Sequence, residues 1–145
     1  MKHKVIPVFL CASVLFVILA CWFLIWGNNK LKEVKIGKIS FKAEEVSSPD
    51  EIRKGLGGRN GICEKCAMLF VFPKEERWEF WMEDMRFDLD VIWIKNGKIA
   101  DIYKNVSRES KDIMRPLSAC DKALEINSGL AEKYGFKIGD DVAVR

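Results

Sequence analysis

Cys63-Glu64-Lys65-Cys66 is a two-cysteine motif whose spacing admits three chemistries. Zinc asks for four ligands, yet beyond this pair the region past residue 30 adds only Cys120, and the sole histidine, His3, lies across the hydrophobic N-terminal stretch. No metal and no cofactor is expected. A thiol–disulfide exchange site would set its cysteines at a helix N-terminus, which lowers the thiol pKa, but Cys66 runs directly into an apolar run from Met68. The favoured reading is a structural disulfide in an oxidising compartment, with Cys120 as a further candidate.

Asp90 and Glu125 stand out as acids inside otherwise apolar runs, and a buried carboxylate needs a partner. Hydrolysis has little to work with. No histidine follows His3 to serve as base for Ser or Cys, and the remaining acids are scattered, so no catalytic residue is assigned. The loop Gly55-Leu56-Gly57-Gly58-Arg59-Asn60-Gly61 resembles a phosphate cradle but lacks a closing Gly-Lys-Ser/Thr, so it is read as a helix stop and loop. In Trp78-Glu79-Phe80-Trp81-Met82-Glu83, extended backbone puts Trp78, Phe80 and Met82 on one side. Trp81 falls with Glu79 and Glu83 on the other, near solvent or lining a groove.

The elements that must position these residues are mostly strands. Val34 to Lys42 alternates imperfectly and suggests early strands; Met68 to Phe72 closed by Pro73, Trp78 to Met82, and Leu89 to Ile94 read as buried strands. Asn96-Gly97 between two apolar runs is a type I′ hairpin signal, because both turn positions need positive φ. Ser48-Pro49-Asp50-Glu51 starts a short helix, with Ser48 as cap, and Gly55 stops it. Residues 105–118 read as a long polar loop. Ala123 to Ile126 reads as a strand, Ser128 as the cap of a short helix over 129–134, and Val142 to Val144 as a last strand. With strands and helices not in βαβ alternation, the class is α+β: a small, β-rich, partly closed barrel-like domain with two short helices.

The N-terminus is of another kind. Val5 to Trp26 is a run of 22 uncharged residues, which as a helix spans roughly 33 Å against a hydrocarbon core of about 30 Å. Trp22 and Trp26 suit an interfacial belt, and Gly27-Asn28-Asn29-Lys30 a polar exit. The expected organisation is a transmembrane anchor over 1–27, a tether over 28–33 and one globular domain over 34–145. A lipoprotein, with Cys21 lipidated after Ile18-Leu19-Ala20, and a cleaved signal peptide are the alternatives. Short N-terminal tails stay inside, which puts the domain on the extracytoplasmic side of the cell membrane. The chain carries a net charge of +3, and past the anchor 22 basic residues balance 21 acidic ones. That leaves no basic stripe for nucleic acid.

Ile52-Arg53-Lys54-Gly55-Leu56-Gly57-Gly58-Arg59, Met68-Leu69-Phe70-Val71-Phe72-Pro73, Phe80-Trp81-Met82, Leu89-Asp90-Val91-Ile92-Trp93-Ile94 and Leu124-Glu125-Ile126-Asn127-Ser128-Gly129 through Gly139-Asp140 together resemble the family called domain of unknown function 192, over about residues 46–145. The resemblance implies a small β-rich fold with two helices and no established activity. It also offers Arg59 as a partner for the buried acids. The chain departs from the family pattern after Met82, where Glu83-Asp84-Met85-Arg86-Phe87-Asp88 replaces a Lys-Asn-Thr stretch and a proline. The expected function is a membrane-tethered module binding a small ligand or protein partner, with an extracytoplasmic thiol–disulfide protein as the alternative. Its site is expected in a groove between the Gly57–Asn60 loop and Trp81, with Arg59 and Asp90 as its polar elements, and Glu125 is a further ligand-binding candidate.

Overall fold

The computed structural model describes residues 31–145. The anchor expected over 5–26, and the Cys21 alternative to it, lie outside the described residues; among those, no helix is long and apolar enough to cross a membrane. Strand β1 (Leu31–Ile36) already occupies part of the expected tether, and it turns through Gly37, at φ +58°, into β2 (Ile39–Val46). The ladder begins earlier than the apolar pattern does because pairing is a backbone property: Glu33 and Arg145 exchange backbone hydrogen bonds of 3.1 and 3.0 Å.

Helix α1 (Pro49–Lys54) begins with a complete capping box. The Ser48 hydroxyl accepts from the Glu51 amide, the Glu51 carboxylate accepts from the Ser48 amide, and Pro49 fills the first turn. Gly55, at φ +47°, ends it. This helix and the loop to Cys66 form the crossover that the parallel pairing of β2 with β3 (Cys66–Glu76) requires. Pro73 does not close β3. The β3–β6 register shifts between Val71 and Glu76, and a proline without an N–H is tolerated in such an irregularity.

Strands β4 (Leu89–Lys95) and β5 (Lys98–Val106) form the expected hairpin, with Asn96 at φ +50° and Gly97 at φ +71°. Strand β6 (Cys120–Asn127), helix α2 (Leu130–Lys133) and strand β7 (Val142–Val144) follow. One seven-stranded sheet runs β5-β4-β6-β3-β2-β1-β7. Its ends approach each other: Lys98 bridges Asp141, and Val142 donates to the Gly97 carbonyl at 2.8 Å. The domain is thus a small β-rich half-barrel with two short helices.

Both faces of the sheet are buried. Val34, Phe41, Leu69, Ile92, Leu124 and Ile126 pack on one face with Ala131 and Phe136. Phe70, Phe72, Val91, Trp93 and Ala123 pack on the other under Leu56, Phe80 and Met114. The segment from Trp78 to Met82 is not a strand of the sheet. Only Phe80 pairs, in an isolated bridge to Met114 within the 105–118 loop, and the alternation buries Phe80 and Met82 as a layer laid across the sheet. Ser128 does not cap α2 either: Gly129 holds the cap position at φ +83°, and the Ser128 hydroxyl donates to Asn105 Oδ1 at 3.0 Å.

Candidate functional site

Strand geometry sends Asp90 and Glu125 to opposite faces. On β4, Asp90 shares a face with Ile92 and Ile94; on β6, Glu125 shares one with Ala123. Asp90 is fully buried and saturated with donors. Its Oδ1 accepts from the amides of Asn105 (2.7 Å) and Gly129 (3.1 Å), and its Oδ2 from the amide of Ala131 (2.7 Å). It is the side-chain cap of α2, supplied from another strand.

Glu125 is 8% exposed, and its Oε2 is buried with no hydrogen-bond partner. Burial pushes the carboxyl up to about 8, so the neutral acid predominates at pH 7. Its cross-strand neighbours, Met68 and Val91, are apolar. The one other buried side-chain polar atom lacking a partner among the described residues, Trp93 Nε1, belongs to the same face.

Glu125 forms part of the floor of an open cleft of about 670 Å³. One wall is the end of α1 with Gly55 and Gly57; the other is the Arg77–Met85 segment with Trp78, Phe80 and Trp81. The first wall needs its glycines. A Cβ on Gly57 would stand 2.9 Å from the Lys54 carbonyl, and one on Gly55 would stand 3.4 Å from Phe70 and 4.0 Å from Glu125 Oε2. The walls are sewn together at one end, where the Gly58 amide donates to the Asp84 carbonyl (2.9 Å) and Arg86 to Asn60 Oδ1 (2.8 Å). The chain there turns through Asp84, at φ +58°.

The rim is mixed in charge. Arg115 is ion-paired with Glu79, Glu76 with Lys74, and Arg77 Nε donates to the Pro116 carbonyl at 2.7 Å. Arg53 and Lys54, in the last turn of α1, form no ion pair among the described residues. Trp81 is 48% exposed and stands on the lip, whereas Trp78 stacks on Phe72 with centroids 4.8 Å apart. The chemistry on offer is stacking, an un-ionised acid and cationic contacts at the mouth.

Of the residues singled out from sequence, Trp81 and Glu125 line this cleft; Arg59 and Asp90 do not. Arg59 forms a bidentate pair with Glu44 (2.8 and 3.1 Å), which raises its pKa through the hydrogen bond to that carboxylate, and it partners neither buried acid. Cys63 and Cys66 form a disulfide in the turn leading into β3, while Cys120 is a free, buried thiol whose pKa burial pushes up. Sequence reasoning missed Arg53, Lys54, Arg77 and Arg115. For Arg53 and Lys54 a signal existed: they directly precede the glycine stop that brings the chain over the sheet.

A family model for domain of unknown function 192, described as "Uncharacterized ACR", matches residues 32–144. The chain belongs to this family. A comparison with curated proteins finds no match. Among solved structures, a protein of unknown function from Novosphingobium aromaticivorans is similar at 26% identity and a TM-score of 0.72, over 78% of this chain and 83% of that one. A candidate transcription regulator from Sinorhizobium meliloti is similar at 25% identity and a TM-score of 0.73, over 78% of this chain and 93% of that one. The domain of unknown function 192 fold in this chain carries a cleft with an orphan acid in its floor.

Proposed function

We propose that this domain is a ligand-binding module, tethered to the membrane through residues 5–26 on the extracytoplasmic side, and that its binding site is the cleft floored by Glu125. One observation carries the reading: a buried carboxyl with no partner forms part of the floor of an aromatic-walled concavity. A buried polar group left unpaired costs about 1–3 kcal/mol, and such groups concentrate where a ligand completes the bonding. The uncharged N-terminal run and the Cys63–Cys66 disulfide support the placement, since disulfides persist in oxidising compartments. The test is a fragment screen by ligand-observed NMR on the full chain in nanodiscs. Trp81→Ala is expected to keep the fold and lose the fragments; fragments that bind Trp81→Ala and the parent alike would overturn the reading.

The second reading, thiol–disulfide exchange, is favoured by one feature: Cys63 is exposed beside Cys66. Its location in a turn rather than at a helix N-terminus supplies no thiolate stabilisation. Titration in a series of redox buffers separates the two readings, since an exchange site cycles near the compartment's potential and a structural bridge stays oxidised. The description of the Sinorhizobium meliloti protein suggests nucleic acid, but the near balance of 22 basic and 21 acidic residues beyond the anchor argues for another partner.

A further inference from the structure

The charges around Glu125 say what kind of ligand the cleft suits. Its flanking strands present Met68 and Val91, which are uncharged. The walls present Arg53 and Lys54 from α1, Glu76, Arg77, Glu79 and Glu83 from the segment opposite, and Arg115 from the loop before β6. Glu79 is neutralised by Arg115 and Glu76 by Lys74. What remains unpaired among the described residues is three cations, Arg53, Lys54 and Arg77, against one anion, Glu83. With Glu125 neutral, the cleft presents positive potential over an apolar floor.

We infer that the cleft takes a small organic anion with a flat apolar body, which lies against the exposed ring of Trp81 while its oxygen accepts a hydrogen bond from the Glu125 carboxyl. Arg53, Lys54 and Arg77 at the mouth attract that anionic group through the positive potential they set over the cleft. This rests on the reading of the cleft as a ligand site. A cation of the same shape would have to pass those three side chains and would meet an un-ionised acid. Ionisation of Glu125 replaces the donor by a like charge, so affinity falls as pH rises through the range in which that carboxyl titrates.

The experiment uses two probes that share a ring and differ in charge, 4-fluorophenylacetate and 4-fluorophenethylamine, titrated into the full chain in nanodiscs and followed by 19F line broadening from pH 6 to 9. Empty nanodiscs supply the background. The acetate is expected to bind at pH 7 at least fivefold more tightly than the amine and to weaken by about tenfold per unit above pH 8. Glu125→Gln, which keeps a donor and the side-chain size, is expected to bind the acetate within threefold of the parent at pH 7 and to lose the pH step. Should Glu125→Gln not fold, Arg53→Gln with Lys54→Gln on the exposed end of α1 is expected to weaken the acetate at least threefold. Tighter binding of the amine, or an acetate affinity indifferent to pH, overturns the inference. If the amine binds and Trp81→Ala removes it, the ligand site stands and its preference for anions falls. If neither probe binds at millimolar concentration, both fall.

Discussion

Asp90 and Glu125 sit on neighbouring strands, one register position apart, since Asp90 faces Ile126 and Val91 faces Glu125. Both are carboxylates within apolar runs and both are at least nine-tenths buried. Yet Asp90 accepts three backbone hydrogen bonds and Glu125 Oε2 accepts none. The face to which each points makes the difference. Asp90 meets a chain reversal and a helix start, where amides lack partners; Glu125 meets aromatic rings and an opening. A buried acid is a strut where the backbone supplies its donors and a candidate contact where it does not.

The largest effect that could break this comparison is expected at Asp90. Asp90→Ala leaves the amides of Asn105, Gly129 and Ala131 without acceptors, and denaturant unfolding should report a loss of about 4 kcal/mol. A loss below about 1 kcal/mol would make the two acids equivalent.

Glu125→Gln should act in the opposite direction. Below about pH 4.5 the acid is protonated in folded and unfolded chains alike and carries no penalty. Between there and about 8 the unfolded chain releases a proton that the folded chain keeps, so parent stability falls across that window and levels off above it. The variant, whose buried amide carries its own desolvation cost of about 1–3 kcal/mol, should therefore gain on the order of 3 kcal/mol at pH 8 and show a flatter stability–pH profile in chemical denaturation. A parent whose stability rises over the same range would mean that Glu125 is ionised and paired.

A smaller change tests the support on the Asp90 side. Asn127 donates to the Cys63 carbonyl at 3.0 Å, and Lys133 of α2 pairs with Glu64, so the disulfide turn braces the same end of the sheet. The bridge closes a sequence separation of only 3. Replacing both cysteines by serine should then cost about 2 kcal/mol, measured as a shift in the urea midpoint. Trp81→Ala comes last, at about 1 kcal/mol or less, because the ring is half in solvent. A several-kcal/mol loss there would make Trp81 part of the core and remove the lip of the cleft.

Local chemistry was legible in advance. The Asn96-Gly97 hairpin, the Ser48 cap and the two anomalous acids each follow from a few adjacent residues, and so does the exposed side of Trp81. What sequence could not show was which distant groups meet. Arg59 is bound by Glu44 across 15 residues of chain, and Asp90 caps a helix 39 residues away. The cleft has the same origin: α1 belongs to a parallel crossover, and the Arg77–Met85 segment lies over the sheet instead of in it, so no periodicity marks them as facing walls.

The pairing of β1 with β7 has a kinetic side. Val34 bonds to a strand centred more than a hundred positions later, and the bridge from Lys98 to Asp141 also needs the last few residues. Contacts of such separation form late because loop closure must precede their reward. During synthesis, the outer edge of β1 and the Lys98–Ile99 end of β5 therefore stay open until residues 139–145 have emerged, and each is a strand edge onto which another chain could add. Those few residues act as the closing stitch against aggregation.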